Sequence, residues 1–208
     1  MKLHVLVEGE SEAQFLRGWL AGLIPAHTFQ VYPHQGKGKL PRVAESKIDP
    51  RREGLLDQLP AKLRAFGRAL NPATDRVLVL VDLDDDDCIE LKERMVVLLH
   101  QCDPAPRVLF RIAIEETEAF FLGDRKAIRA AFPRAKLAKM NHYDQDGICG
   151  TWELFQSVID AKRPDKVEWA KSMARHLGTT WRGKDANESP SFRQFCRGVL
   201  QLVGEIGE

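Results

Sequence analysis

The sequence has only two tyrosines and four cysteines without a Cys-x-x-Cys pair, and its six histidines include no His-x-x-x-His, so three common chemistries are disfavoured at once. Tyr32 and Tyr143 stand in no context that suggests a nucleophile. Cys88, Cys102, Cys149 and Cys196 are too scattered for a disulfide frame or a zinc site, and they read as reduced thiols of a cytoplasmic protein. An excess of either charge is also lacking. Thirty-one basic residues face 30 acidic ones, so a net charge of +1 gives no global attraction to nucleic acid or membrane. Apolar runs such as Val77–Val81 fall far short of the ~20 residues that cross a bilayer. The opening run Met1–Val7 ends at Glu8, too early for the core of a signal peptide. No Gly-x-x-x-x-Gly-Lys-Ser/Thr loop occurs, which argues against an ATPase, since Gly36-Lys37-Gly38-Lys39 is too short for one.

What remains is an ordinary globular composition, 44% hydrophobic and 29% charged, in 208 residues: one domain with elaborations. Aliphatic strands are predicted at Lys2–Val7, Thr28–Pro33, Arg76–Val81 and Arg107–Ile114. Arg76–Val81 is apolar on both faces, as a central strand covered by helices on both sides must be. Helical spacing follows Ser11 as N-cap, through Phe15, Leu16, Trp19, Leu20 and Leu23, and marks Leu55–Leu70 with a kink or break at Pro60. Ile89–His100 reads as a helix and another starts near Glu116. Basic helical material runs from Asp124 to Met140, and helices follow at Trp152–Ile159, Lys166–Leu177 and Ser191–Val203. This alternation predicts an α/β fold with a mostly parallel sheet over residues 1–123 and a helical extension, 124–208, packed on it.

Three acidic groups fall where strands give way to loops or helices: Glu8 with Glu12, Asp82 with Asp84 and on to Asp86, and Glu116 with Glu118. Ligands of open α/β sheets gather at the carboxyl ends of strands, where the strand order reverses. If the strands before Glu8 and Asp82 are parallel neighbours, their carboxylates converge, and such a group repels itself unless a cation neutralises it. An all-oxygen ligand set suits Mg²⁺ or Mn²⁺. An Asp-x-Asp just past a strand would present both side chains on one pleat face. Gly9 allows a tight turn into the helix whose first turn carries Glu12. The bland alternatives are a solvated acidic loop and routine helix-start acids. Asp82-x-Asp84-x-Asp86 also imitates an EF-hand loop, but Asp87 occupies the glycine position and a strand precedes it.

Val5-Leu6-Val7-Glu8-Gly9, followed by Val77–Val81 and Asp82-x-Asp84, resembles the Toprim domain of topoisomerases, primases and several nucleases. Further pieces extend the likeness over nearly the whole chain: Glu8-Gly9-x-x-Glu12, His34-x-Gly36-Lys37, Asp82-Leu83-Asp84 with Cys88, Glu116-x-Glu118-Ala119-Phe120-Phe121-Leu122-Gly123-Asp124, and Ser189-Pro190-Ser191-Phe192. Together they resemble domain-of-unknown-function family 4276, related to the Toprim part of the OLD (overcoming lysogenisation defect) nucleases. Many relatives carry tryptophan where Phe120 or Phe121 stands. The resemblance implies a Toprim-like, Rossmann-like sheet, with Glu8, Glu12, Asp82 and Asp84 as ligands of Mg²⁺ or Mn²⁺ and Glu116 or Glu118 as a further ligand or base. It also implies a lysine near the scissile phosphate, for which Lys37, Lys39 and Lys166 are candidates. With no cleavage domain or nucleotide-handling domain in view, the implied activity is hydrolysis of nucleic acid, DNA ahead of RNA. Relatives of this type look like parts of ATPase-linked anti-phage defence systems, so an ATPase partner and a homodimer enter as expectations. The alternative is a non-catalytic metal- or nucleotide-binding regulatory subunit.

Phosphate binding needs local cations. Arg125, Lys126, Arg129, Arg134, Lys136 and Lys139 form one basic stretch; Lys37, Lys39 and Arg42 form another beside the presumed cleft. A solvated helix face is the competing reading of the first. Trp19, Trp152 and Trp169 read as packing residues, Trp181 as a candidate for stacking on a base, and Ser189-Pro190-Ser191 as a helix cap.

Overall fold

The computed structural model describes residues 1–41, 51, 53–147 and 150–207, so Arg42 and Cys149 lie outside the described residues. Four strands, β1 (Lys2–Val7), β2 (Thr28–Pro33), β3 (Asp75–Asp82) and β4 (Val108–Ala113), form one sheet in the order β2-β1-β3-β4. Every pairing is parallel. The connections carry α1 (Glu10–Leu23), α2 (Leu55–Ala69) and α3 (Cys88–His100). Beyond β4 come α4 (Glu118–Leu122), α5 (Arg125–Ala131), a 3₁₀ turn at Leu137–Met140, α6 (Thr151–Ile159), α7 (Lys166–Ala174) and α8 (Pro190–Val203).

The period-2 alternation of β3 explains its unbroken apolar run. Leu78 and Leu80 enter one core with α1, α7 and α8, while Val77, Val79 and Val81 enter a second core with α2 and α3. The first core joins both halves of the chain, from Leu3 to Val203, with Phe15, Trp19, Phe120, Phe155, Phe192 and Phe195 fully or nearly fully buried. Each such ring contributes roughly 1.5–3 kcal/mol by leaving water. Gly18 lets α1 and α7 cross closely, since a Cβ there would lie 2.8 Å from that of Ala174. Trp19 completes the contact by donating its indole N–H to the Leu177 carbonyl at 3.1 Å.

Three local expectations change. The first helix begins at Glu10 with Gly9 in the N-cap position, and Ser11 instead donates its hydroxyl to the Glu12 carboxylate. Helix α2 runs through Pro60 without a break, at the loss of the one hydrogen bond its N–H would have given to the carbonyl four residues back. The basic stretch is not one helix. It ends at Ala131, ahead of Pro133, and resumes only as the 3₁₀ turn.

Candidate functional site

After β1 the chain steps outward to β2 and then crosses back over β1 to β3, so the strand order reverses between β1 and β3. Their paired carboxyl ends carry Glu8 and Asp82. The Glu8 carboxylate accepts a hydrogen bond from the Asp82 backbone N–H at 2.8 Å, which ties residues 74 positions apart. The Asp82 carboxylate accepts the Thr117 hydroxyl at 2.8 Å. Glu12, in the first turn of α1, and Glu118, first residue of α4, are both buried and bear electrostatically on Asp82.

Crowding of like charge away from water shifts these groups together. Burial, opposed by the Asp82 N–H and Lys37, raises Glu8 to about 8. Burial, with Glu116 and Glu12 adding to it against Lys166, raises Glu118 to about 7. Asp82 keeps some exposed surface as a residue, yet desolvation of its carboxyl group and the acids Glu12, Glu8 and Glu118 push it well above the carboxylate range.

A lysine flanks each side of the acids. The Lys37 ammonium donates to the Leu83 carbonyl at 2.7 Å and to the Asp84 and Asp86 carboxylates at 3.1 and 2.8 Å. Burial works against its charge, but Asp86 and Asp84 outweigh it and hold the pKa above the ordinary value. Lys166 pairs with Glu116 at 3.0 Å, approaches Glu118 at 3.9 Å and lies over the Trp152 ring. Burial again opposes its charge, and Glu118 and Glu116 more than compensate. The other Glu116 oxygen is buried without a partner among the described residues.

The loop bearing Lys37 is fastened to the end of β1. The His34 N–H and ring Nδ1 both reach the Val7 carbonyl, and the Gly36 N–H donates to the Glu8 carbonyl at 2.8 Å. Gly36 and Gly38 both have positive φ, which glycine adopts freely.

Glu8, Glu12, Asp82 and Glu118 are therefore brought together, with Lys37 and Lys166 beside them. Asp84 departs from the expected shared pleat. Strand β3 ends at Asp82, Leu83 turns into the core, and Asp84 takes φ of 48° with its exposed carboxylate on Lys37. In the last acidic group α4 begins at Glu118, near Glu116 as expected.

Several residues of the basic stretch bond within the C-terminal half. Arg125 donates to the carbonyls of Leu137 and Met140, Arg129 to that of Pro133, and Lys136 pairs with Asp160. Lys39 is exposed beside the Lys37 loop. Trp19 and Trp169 are core residues, and Arg182 covers the ring of Trp181.

Sequence reasoning assigned no part to Thr117, which orients Asp82, or to Glu115, whose carboxylate accepts from the N–H groups of Gly150 and Thr151 and from the Thr151 hydroxyl. Glu115 thus caps α6 from outside the helix. No local pattern signals this, because the capped N–H groups lie 35 and 36 residues away.

The donor set is chemically that of a hard divalent cation: oxygen only, desolvated and mutually repelling. Its present hydrogen bonds are internal, however. Among the described residues no three His, Cys, Asp or Glu side chains are arranged to hold a metal ion, so ligation requires the carboxylates to draw together, although Glu8, Asp82 and Glu12 each give these protein donors only one oxygen.

Among the described residues no helix is long and apolar enough to cross a membrane. Neither the curated proteins nor the solved structures compared with the chain contain a match. A family model, "Domain of unknown function (DUF4276)", matches residues 7–200, from the end of β1 to the body of α8, and the chain therefore belongs to this family.

Proposed function

We propose that the chain is a Toprim-like, divalent-metal-dependent nuclease of the OLD-related type, acting on DNA ahead of RNA as part of an ATPase-linked bacterial defence system. The observation that carries this reading is the set of Glu8, Glu12, Asp82 and Glu118 at the switch point between β1 and β3, with a lysine on either side. Glu8, Glu12 and Asp82 would hold Mg²⁺ or Mn²⁺, with Asp84 and Glu118 completing the set. When bound, the ion supplies a water of lowered pKa and positive charge against a phosphodiester. The protein's own groups do the rest. Lys37, anchored on Leu83, Asp84 and Asp86, and Lys166, on Glu116 and Glu118, each offer an ammonium to a phosphate oxygen at the rim of the acids. Glu116, with one oxygen buried and unpartnered among the described residues, is the acid best placed to exchange a proton with Lys166. Thr117 holds the Asp82 carboxylate in orientation.

A second reading has one observation of its own. The acids already satisfy themselves with protein donors, as a metal- or nucleotide-binding regulatory subunit of an ATPase complex could. Incubation of purified protein with Mg²⁺ or Mn²⁺ and plasmid, linear or single-stranded substrates separates the two. Nicking abolished by Asp82→Ala supports the nuclease. Metal binding without turnover, with and without an ATPase partner, supports the subunit. Cleavage that survives Asp82→Ala removes the acids from the chemistry.

A further inference from the structure

At the opposite end of the sheet the strands begin instead of end, and there a second set of charges is gathered. Arg76, in the first turn of the ladder of β3, and Arg107, immediately before β4, are cross-strand neighbours: the Val77 N–H donates to the Arg107 carbonyl, and Val77 stands opposite Val108. Alternation puts Arg76 on the face of Leu78 and Leu80, and Arg107 on the face of Leu109 and Arg111, the side covered by α8. Between the strand starts and the end of α8 lies a recess of about 440 Å³, lined by Arg76, Arg107, Val108, Leu109, Gln201 and Leu202.

The two arginines differ in how they are held. Arg76 is 6% exposed, and one guanidinium nitrogen donates to the carbonyls of Pro72 and Asp75 at 2.9 and 2.8 Å. Arg107 is exposed and makes no side-chain hydrogen bond or ion pair among the described residues. Asp75, the acid that bears on Arg76, accepts from His4 and Thr74. Two more arginines thicken the positive field: Arg111 lies flush against Gly198 and donates to the Gln194 carbonyl, and burial first and Arg197 second disfavour its charge. Desolvation and then Arg107 weigh against the charge of Arg76, Asp75 offsets only part of this, and a bound anion relieves the rest.

We propose that this recess is an anion site for a small phosphate ester of about mononucleotide size. Arg76 and Arg107 take the phosphate in their planar forks, the apolar wall of Val108, Leu109 and Leu202 covers the organic part, and the side-chain carbonyl of Gln201, whose NH2 donates to the Gly207 carbonyl, accepts from a polar edge. The site is distinct from the acidic one, which lies past the other end of the same strands.

The test uses the full chain with three probes: inorganic phosphate, adenosine monophosphate and adenosine, followed by calorimetry and thermal unfolding. The nucleotide is expected to bind and stabilise, phosphate alone to bind more weakly, and adenosine not to bind. Arg107→Glu, at an exposed strand start, should weaken the nucleotide by about tenfold or more, as expected for a charge-assisted fork. Glu118→Gln, at the other end of the sheet, should leave nucleotide binding unchanged. Absence of any effect of phosphate and nucleotide overturns the proposal, as does nucleotide binding that survives Arg107→Glu or is lost in Glu118→Gln. Displacement of the nucleotide by a short single-stranded oligonucleotide overturns the size limit and assigns the surface to a nucleic-acid backbone.

Discussion

Glu118→Gln should make the metal-free protein more stable, and increasingly so as the pH rises. Glu118 is 3% exposed, and its pKa is raised from an ordinary 4.5 to about 7, first by burial and then by Glu116 and Glu12. A folded-state pKa above the unfolded one means that the folded form holds the proton more tightly. Below pH 4.5 both states are protonated and the residue costs nothing. Between 4.5 and about 7 the unfolded state ionises first, and native stability falls by about 1.4 kcal/mol per pH unit, reaching about 3 kcal/mol above pH 7. Glutamine cannot ionise, so the variant escapes this loss, less whatever the weak 3.9 Å contact with Lys166 contributed. Because Asp82 and Glu12 share the same crowding, removing one charge relaxes the others, and a gain of about 2–3 kcal/mol at pH 8 is expected, shrinking towards zero at pH 4.5. Urea unfolding in chelator at several pH values measures it. Equal stability of the two proteins at pH 8 refutes the argument. Mg²⁺ should restore the wild type at pH 8 more than the variant; a wild-type midpoint indifferent to Mg²⁺ would leave the acids without a cation.

Gly9→Ala is expected to fold, since φ of −153° suits any residue, but its Cβ would press to 3.1 Å from a Glu12 carboxylate oxygen. The expected result is a small shift in Tm with weakened Mn²⁺ binding, read by calorimetry; unchanged Mn²⁺ affinity removes Glu12 from the ligands. Glu115→Ala strips the outside cap from α6 and leaves the Gly150 and Thr151 donors unpaired, costing about 1–3 kcal/mol in urea unfolding at neutral pH. Gly67→Ala in α2 drives a Cβ into the Pro104 backbone carbonyl, a loss of about 1–3 kcal/mol that a lowered Tm would register.

Much of the architecture was legible because it rests on periodicity. Val77–Val81, apolar at every position, has to be covered on both faces, and it pairs on both sides as well. Strand ends were read within a residue or two, while helix starts were less clear. Ser11 has an N-cap's side chain, but Gly9 is the last extended residue, so Gly9 takes the cap position and Ser11 turns to Glu12. Of the kink or break expected at Pro60 the break is absent: one lost ladder bond is outweighed by burying Leu55, Leu56, Leu59 and Leu63 along the same helix. Long-range caps such as Glu115 on α6 and Asp146 on Ser189 and Ser191 leave no local trace.

The acids were legible for a different reason, and the distinction bears on what they do. Glu8, Glu12, Asp82 and Glu118 each look like a routine strand-end or helix-start acid in sequence; only the order β2-β1-β3-β4 makes them neighbours. Ordinary packing would not keep them there, because burying one carboxyl already raises Glu118 to about 7 and Glu8 to about 8, and their proximity destabilises the fold further. A cheaper arrangement was available: Asp84 shows it, swung out to solvent by a left-handed backbone and neutralised by Lys37. Glu8, Glu12 and Glu118 did not follow, although Lys37 and Lys166 stand at the edge of the group with carboxylates of their own. A set of acids held inward at continuing energetic expense, beside Asp84 and Asp86 turned outward onto Lys37, supports the cation site proposed above. The pH-dependent gain of Glu118→Gln measures that expense directly.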